Sequence, residues 1–143
     1  MRRHDQSGQT ALLIVGLFLV AVLLVVVVVD ASAAYLRRQQ LDALADGAAL
    51  AAADGIQGAQ VYQQGLGERA AIDPELARSY VADYLERLGA RRDYPGLVPE
   101  VSVREDSVEV VVHAPLELPL VPPGWTRDSR VSGKATAFVA VTG

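Results

Sequence analysis

ALLIVGLFLVAVLLVVVVV, residues 11–29, is the stretch on which the reading of this chain turns. It holds nineteen residues without a charge or a strong polar group. At about 1.5 Å of rise per residue, a helix of that length covers roughly 28 Å, close to the hydrocarbon thickness of a bilayer. Val is a mediocre helix former in water, but lipid offers no partner for an open N–H or C=O. The five-valine run 25–29 is therefore expected to be helical. A core helix of a soluble protein normally keeps a polar edge, and this one has none. Whatever follows Asp30 is then expected to be held against one face of a membrane.

Composition limits what that remainder does. The chain has 143 residues, and the part after Asp30 is enough for one small domain with a modest core. Its formal charge is −4, and the part after Asp30 carries the same excess of acid, with fifteen Asp/Glu against eleven Lys/Arg. That balance gives no electrostatic footprint for nucleic acid and does not suggest a domain lying flat on anionic lipid. There is no cysteine, so disulfides, zinc–thiolate sites and thiol nucleophiles are all excluded. Arg2 and Arg3 precede the span and Arg37 and Arg38 follow it, so the positive-inside count is nearly balanced. The basic N-terminus directly before the run favours a cytoplasmic N-terminus and an extracytoplasmic domain.

The helical signal continues past Asp30. Residues 31–53, ASAAYLRRQQLDALADGAALAAA, are rich in helix formers and contain no Pro. Leu41, Leu44, Ala45, Ala48 and Ala52 recur at three- and four-residue steps, with Arg37, Arg38, Gln39, Asp42 and Asp46 as the polar side. One helix is expected from about residue 9 to 53, its small-residue seam open to close approach by another element, with Gly55 and Gly58 closing it. Residues 55–72 read as a loop, although 59–64 contain no helix breaker.

A second helix is marked by Asp73 as cap, Pro74 at its first position, Glu75 near the positive end of its dipole, and Gly89 as stop. Leu76, Tyr80, Val81, Tyr84, Leu85 and Leu88 form its apolar stripe, with core packing the reading for the tyrosines. Pro95-Gly96 marks a turn, and beyond it the period becomes two. Val101 and Val103 form one alternating strand; Val108, Val110 and Val112 form the next, across a Glu105-Asp106-Ser107 loop. Residues 114–125 read as a proline-punctuated extended segment, a candidate edge strand, with Trp125 folding back on the domain. Residues 131–141 are the clearest strand, with Val131, Ala135, Ala137, Val139 and Val141 on one side. The expected fold is α+β: a long N-terminal helix (transmembrane half plus projecting half), a second helix, and a three- to four-stranded antiparallel sheet. The expected divisions are a cytoplasmic N-terminus at 1–10, a transmembrane helix at 11–29, its projecting continuation at 30–54, and a small extracytoplasmic domain at 55–143.

Catalytic material is lacking. With His4 and His113 as the chain's two histidines and no cysteine, triads and zinc sites have almost no material, and the glycines of 55–67 lack a nucleotide fingerprint. No enzyme, cofactor, metal or small-molecule substrate is expected. Asp30 is the chemically unusual position, a carboxylate abutting the apolar run. It is expected to set the depth of the helix. A sharper alternative pairs it with a basic residue of a partner subunit, and normal assembly of an Asp30→Asn variant would sink that alternative.

Two stretches resemble the N-terminal region of the Tad/Flp pilus-assembly proteins of the TadE/TadG-like type. One is Ser7-Gly8-Gln9 directly before a single apolar span. The other is Asp30 at its exit, followed by Tyr35-Leu36-Arg37-Arg38-Gln39-Gln40-Leu41 and then Ala45-Asp46-Gly47-Ala48-Ala49-Leu50-Ala51. The last block is similar to the family's Ala-Asp-Ala-Ala-Ala-Leu-Ala signature, with Gly47 in place of the first Ala after Asp46. The resemblance implies a pilin-like, membrane-anchored component of a type IV-like pilus or secretion apparatus. Such a component acts by helix packing, with membrane lipid and other subunits as partners. Gly8 and Gln9 would flank a prepilin-peptidase cleavage point, but the Glu that such substrates carry five residues beyond the Gly is Leu13 here. An uncleaved accessory subunit fits that departure better. Two alternatives stand beside it. Ala31-Ser32-Ala33 matches a signal-peptidase site that would release a secreted soluble domain starting at Ala34, although the run exceeds a usual signal core. The other is a signal-anchored envelope protein with a binding role.

Overall fold

The computed structural model describes residues 7–64, 72–116 and 129–139. Helix α1 (Ser7–Gln64) is followed by α2 (Pro74–Arg87), the one-turn α3 (Ala90–Asp93), and strands β1 (Val98–Val103), β2 (Ser107–Pro115) and β3 (Arg130–Phe138). The strands form one antiparallel sheet in the order β1-β2-β3. The architecture is α+β, with α1 and α2 packed on one face of the sheet. His4, residues 65–71, Trp125 with the proline segment around it, and Val141 lie outside the described residues.

Helix α1 is continuous over 58 residues, about 87 Å at the standard rise. Its halves differ in what surrounds them. Every large apolar side chain from Leu12 to Val25 is 43–76 % exposed, whereas Leu41, Ala45, Ala48, Ala49, Ala52, Ala53 and Ile56 are buried. The helix does not close at Gly55 and Gly58; it runs to Gln64. A glycine inside a helix costs only about 0.5–1 kcal/mol relative to Ala, and here the added length buries Ile56. At Gly55 the missing Cβ also makes room for the Tyr80 ring, whose atoms lie 2.7 Å from where that Cβ would stand.

Helix α2 begins as its sequence dictates. Asp73 accepts a hydrogen bond from the Glu75 N–H at 2.9 Å, and Pro74 occupies the first helical position, where no N–H is needed. Its buried positions are Ala77, Val81 and Leu85, flanked by the half-buried Tyr80 and Tyr84. Leu88, expected in the stripe, sits at the C-cap and is exposed, because the chain leaves helical geometry at Gly89, with φ of 66°. After α3, the Leu97 N–H donates to the Tyr94 carbonyl at 3.0 Å and Gly96 takes φ of 81°. That is a type II turn, which requires a residue tolerant of positive φ at its third position.

The sheet follows the two-residue period. Val108, Val110, Val112 and Ala114 of the central strand are fully buried or nearly so, facing the helices with Val101, Val103, Val131, Ala135 and Ala137. Ser107, expected in the hairpin loop, is instead the first residue of β2. Ala114 and Pro115, expected within an edge segment, end the central strand. The edges are β1 and β3, and Pro99 in β1 is a residue that edge strands tolerate. On the opposite face Lys134 pairs with Glu109 at 2.8 Å, and Arg104 approaches the same carboxylate at 3.9 Å. The Lys134 hydrogen bond holds the Glu109 carboxyl below its ordinary range, with the Lys134 and Arg104 charges acting in the same direction against desolvation.

Helix α1 and strand β3 meet backbone to backbone at Gly133. A Cβ on Gly133 would lie 2.1 Å from the Leu41 carbonyl carbon and 2.3 Å from the Asp42 nitrogen, so the helix backbone rests directly on the strand. Asp42 then reaches the strand edge and accepts a hydrogen bond from the Lys134 N–H at 3.1 Å. That contact satisfies one donor of an edge otherwise open to pairing with another chain.

Candidate functional site

The candidate site is α1 itself, since it carries both the apolar run and the residues singled out from the sequence. Gly8 and Gln9 lie in its first turn. Asp30 is half-buried directly after the apolar run and lies within a continuing helix rather than at the end of one. The helix from Gln9 is long and apolar enough to cross a membrane, and no part of its most apolar window is buried among the described residues. A surface of that size has no counterpart on ordinary soluble monomers, whose apolar patches rarely exceed a few hundred Å².

The motif residues divide by face. Ala45, Ala48 and Ala49 are fully buried in the chain's own core. Asp46 and Leu50 project from the opposite side and are exposed. The seam of small residues is thus used internally, by β2, β3 and α2. Gly47 belongs to the same logic. The Tyr84 hydroxyl lies 2.0 Å from where its Cβ would stand, so the smaller residue within the motif admits a tyrosine tip from α2.

Two residues placed on the polar side of α1 turn inward instead. Asp42 caps the β3 edge, and Arg37 lays its guanidinium over the Tyr94 ring, 4.2 Å from the centroid. The Tyr94 hydroxyl donates to Gln40 Oε1 at 3.2 Å, which fixes the turn after α3 against the helix. These contacts join residues more than fifty positions apart, and helical periodicity carries no trace of them. His113 faces Glu100 at 3.5 Å on the exposed side of the sheet. Among the described residues, no three His, Asp or Glu side chains gather as a metal site. Among the described residues, the contacts on α1 are surfaces for packing.

Residues 8–55 match the family model described as Tad, putative Flp pilus-assembly TadE/G-like. The match covers about a third of the chain: the apolar run, Asp30 and the alanine-rich seam. No curated protein and no solved structure matches. The family match supports a role in Flp pilus assembly, and it points to a structural rather than a catalytic part in it.

Proposed function

We propose that this chain is a membrane-anchored accessory or minor subunit of a Flp pilus or its secretion apparatus. In this reading residues 11–29 span the bilayer, the N-terminus lies in the cytoplasm, and the domain stands outside. The observation that carries it is the contrast within α1. One unbroken helix has its C-terminal part in the domain core, while its apolar N-terminal part is exposed and packs on none of the other described residues. Burying that surface requires lipid or the corresponding helices of neighbouring subunits. Because Ala45, Ala48 and Ala49 are already packed internally, partner subunits would meet the span below Asp30 and the exposed Asp46–Leu50 side, not the alanine seam. Asp30 sets the depth of the helix.

The test is the N-terminal residue and intact mass of the protein recovered from membrane and culture fractions of the native host. An uncleaved or nearly uncleaved chain in the membrane, copurifying with pilus subunits, is expected. A start at Gln9 would show prepilin-peptidase processing and move the chain among the pilin-like substrates. A product starting at Ala34 in the medium would overturn the anchored reading.

A further inference from the structure

The charges of this domain are distributed unevenly along α1. Tyr94 meets α1 at Arg37 and Gln40, and Gly133 meets it at Leu41. This puts α3, the start of β3 and the end of β2 at the end of the domain nearest the span. That end carries Arg37, Arg38, Arg91, Arg92 and Arg130. Among the described residues its carboxylates are Asp93, Glu86 in the last turn of α2, Glu100 beside His113 and, one turn along α1, Asp42, which Arg38 approaches at 4.0 Å. Arg91, Arg92 and Arg130 are exposed and have no carboxylate in ion-pair range among the described residues. Arg37 is engaged through the π face of Tyr94, and its Nε hydrogen-bonds to no partner. The far end, by contrast, holds Asp54, Asp73, Glu75, Glu105 and Asp106 against Arg78 and Arg104. A net charge of −4 conceals this separation.

We propose that the arginine-bearing end of the domain docks on anionic phospholipid headgroups of the bilayer that its own helix spans. The inference rests on the membrane-anchored reading above. Seven residues separate Asp30 from Arg37, about 10 Å of helix, and the headgroup layer on each side is roughly 5–7 Å deep. The arginines therefore stand at its outer border, within about one Debye length of about 8 Å at physiological salt. Arg37 lies over Tyr94 and Arg38 reaches along α1 toward Asp42, so the exposed Arg91, Arg92 and Arg130 are the groups that meet the headgroups. Exposed Tyr35 and Leu36 lie between, an aromatic and an aliphatic residue at the level where membrane proteins carry such anchors. Guanidinium forks suit phosphate oxygens better than a point charge does.

The test uses the full chain, which has no native cysteine, with a fluorophore on Ser129→Cys or, as a distal control, on Glu105→Cys. The protein is inserted into phosphatidylcholine vesicles with or without phosphatidylglycerol, all containing a headgroup-linked quencher, and insertion is scored by resistance to alkaline carbonate. The expected result is roughly twofold stronger quenching at position 129 in the anionic vesicles, lost at high salt because the contact is screened. It should also be lost in Arg91→Gln/Arg92→Gln, with position 105 unaffected throughout. Both substitutions are at exposed sites, and the salt arm needs no variant. Equal quenching in the two lipids, in a chain that resists carbonate, would overturn the docking surface while leaving the anchor standing. It would assign the arginines to an acidic protein partner instead. A chain that carbonate extracts would overturn both.

Discussion

Replacing Gly133 with Ala tests the helix–strand contact that seats the domain on α1. The added Cβ would stand 2.1 Å from the Leu41 carbonyl carbon and 2.3 Å from both the Leu41 oxygen and the Asp42 nitrogen. Ordinary contact begins near 3.4 Å, and the obstacles are backbone atoms of a helix, which cannot swing aside as a side-chain tip does. Either α1 lifts by more than an ångström or β3 bends away. Overpacking of this kind typically costs about 1–3 kcal/mol. The lift also stretches the Lys134 N–H bond to Asp42, now 3.1 Å, and the loss of such a hydrogen bond costs about 0.5–1.5 kcal/mol. The expected destabilisation is roughly 2–4 kcal/mol, a large share of the 5–15 kcal/mol that holds a typical domain together. Urea unfolding of the full chain in non-ionic detergent, followed by pulse proteolysis, would read it as a lower midpoint at unchanged slope. Gly58→Ala is the matched control, because a Cβ there meets nothing within 4 Å. It should raise stability by up to about 1 kcal/mol through helix propensity. A Gly133→Ala midpoint equal to the parent's would refute the close contact and with it the seating of β3 on α1.

Other outcomes follow from single contacts. Asp73→Ala removes the side chain that caps α2 and should cost about 0.5–2 kcal/mol in the same unfolding assay, with Asp73→Asn close to neutral. Leu85→Ala empties a fully buried position on α2 and should cost about 2–5 kcal/mol. Glu109 is held below its ordinary value of 4.5 by Lys134. Its contribution is therefore fully present above that value and disappears as pH falls through the lower folded value. Unfolding measured from neutral pH down into the acid range should lose less stability in Glu109→Gln than in the parent. Asp30→Asn should stay carbonate-resistant, since an amide is easier to hold at the edge of lipid than a carboxylate; extraction of this variant would contradict the placement of Asp30 at the interface.

Much of the fold was legible because it rests on local signals. The apolar run, the Asp73-Pro74 helix start and the two-residue period of Val108, Val110 and Val112 each state a local preference, and the structure follows them. What sequence missed depends on distant partners. Gly55 reads as a helix stop until the Tyr80 ring is seen against it. Gly133 interrupts the inward row of Val131 and Ala135, a visible irregularity, but its meaning requires the Leu41 backbone 92 positions upstream. Asp42 and Arg37 look like solvated charges by helical phase, yet the β3 edge and the Tyr94 ring draw them inward. The arginine-rich end was invisible for the same reason, since a charge sum says nothing of where the charges lie. The assembly surface is in the opposite position. Its apolar residues were readable at once, and the structure adds that none of the other described residues covers them.

The central claim is that α1 crosses the bilayer and delivers the domain to its outer side. It is tested most directly by thiol accessibility in intact cells of the native host, using Gln6→Cys and Glu105→Cys in this cysteine-free chain. Labelling of position 105 by a membrane-impermeant maleimide, with position 6 reactive only after the membrane is permeabilised, is the predicted result. Labelling of position 6 alone would reverse the orientation, and labelling of both without permeabilisation would contradict the span.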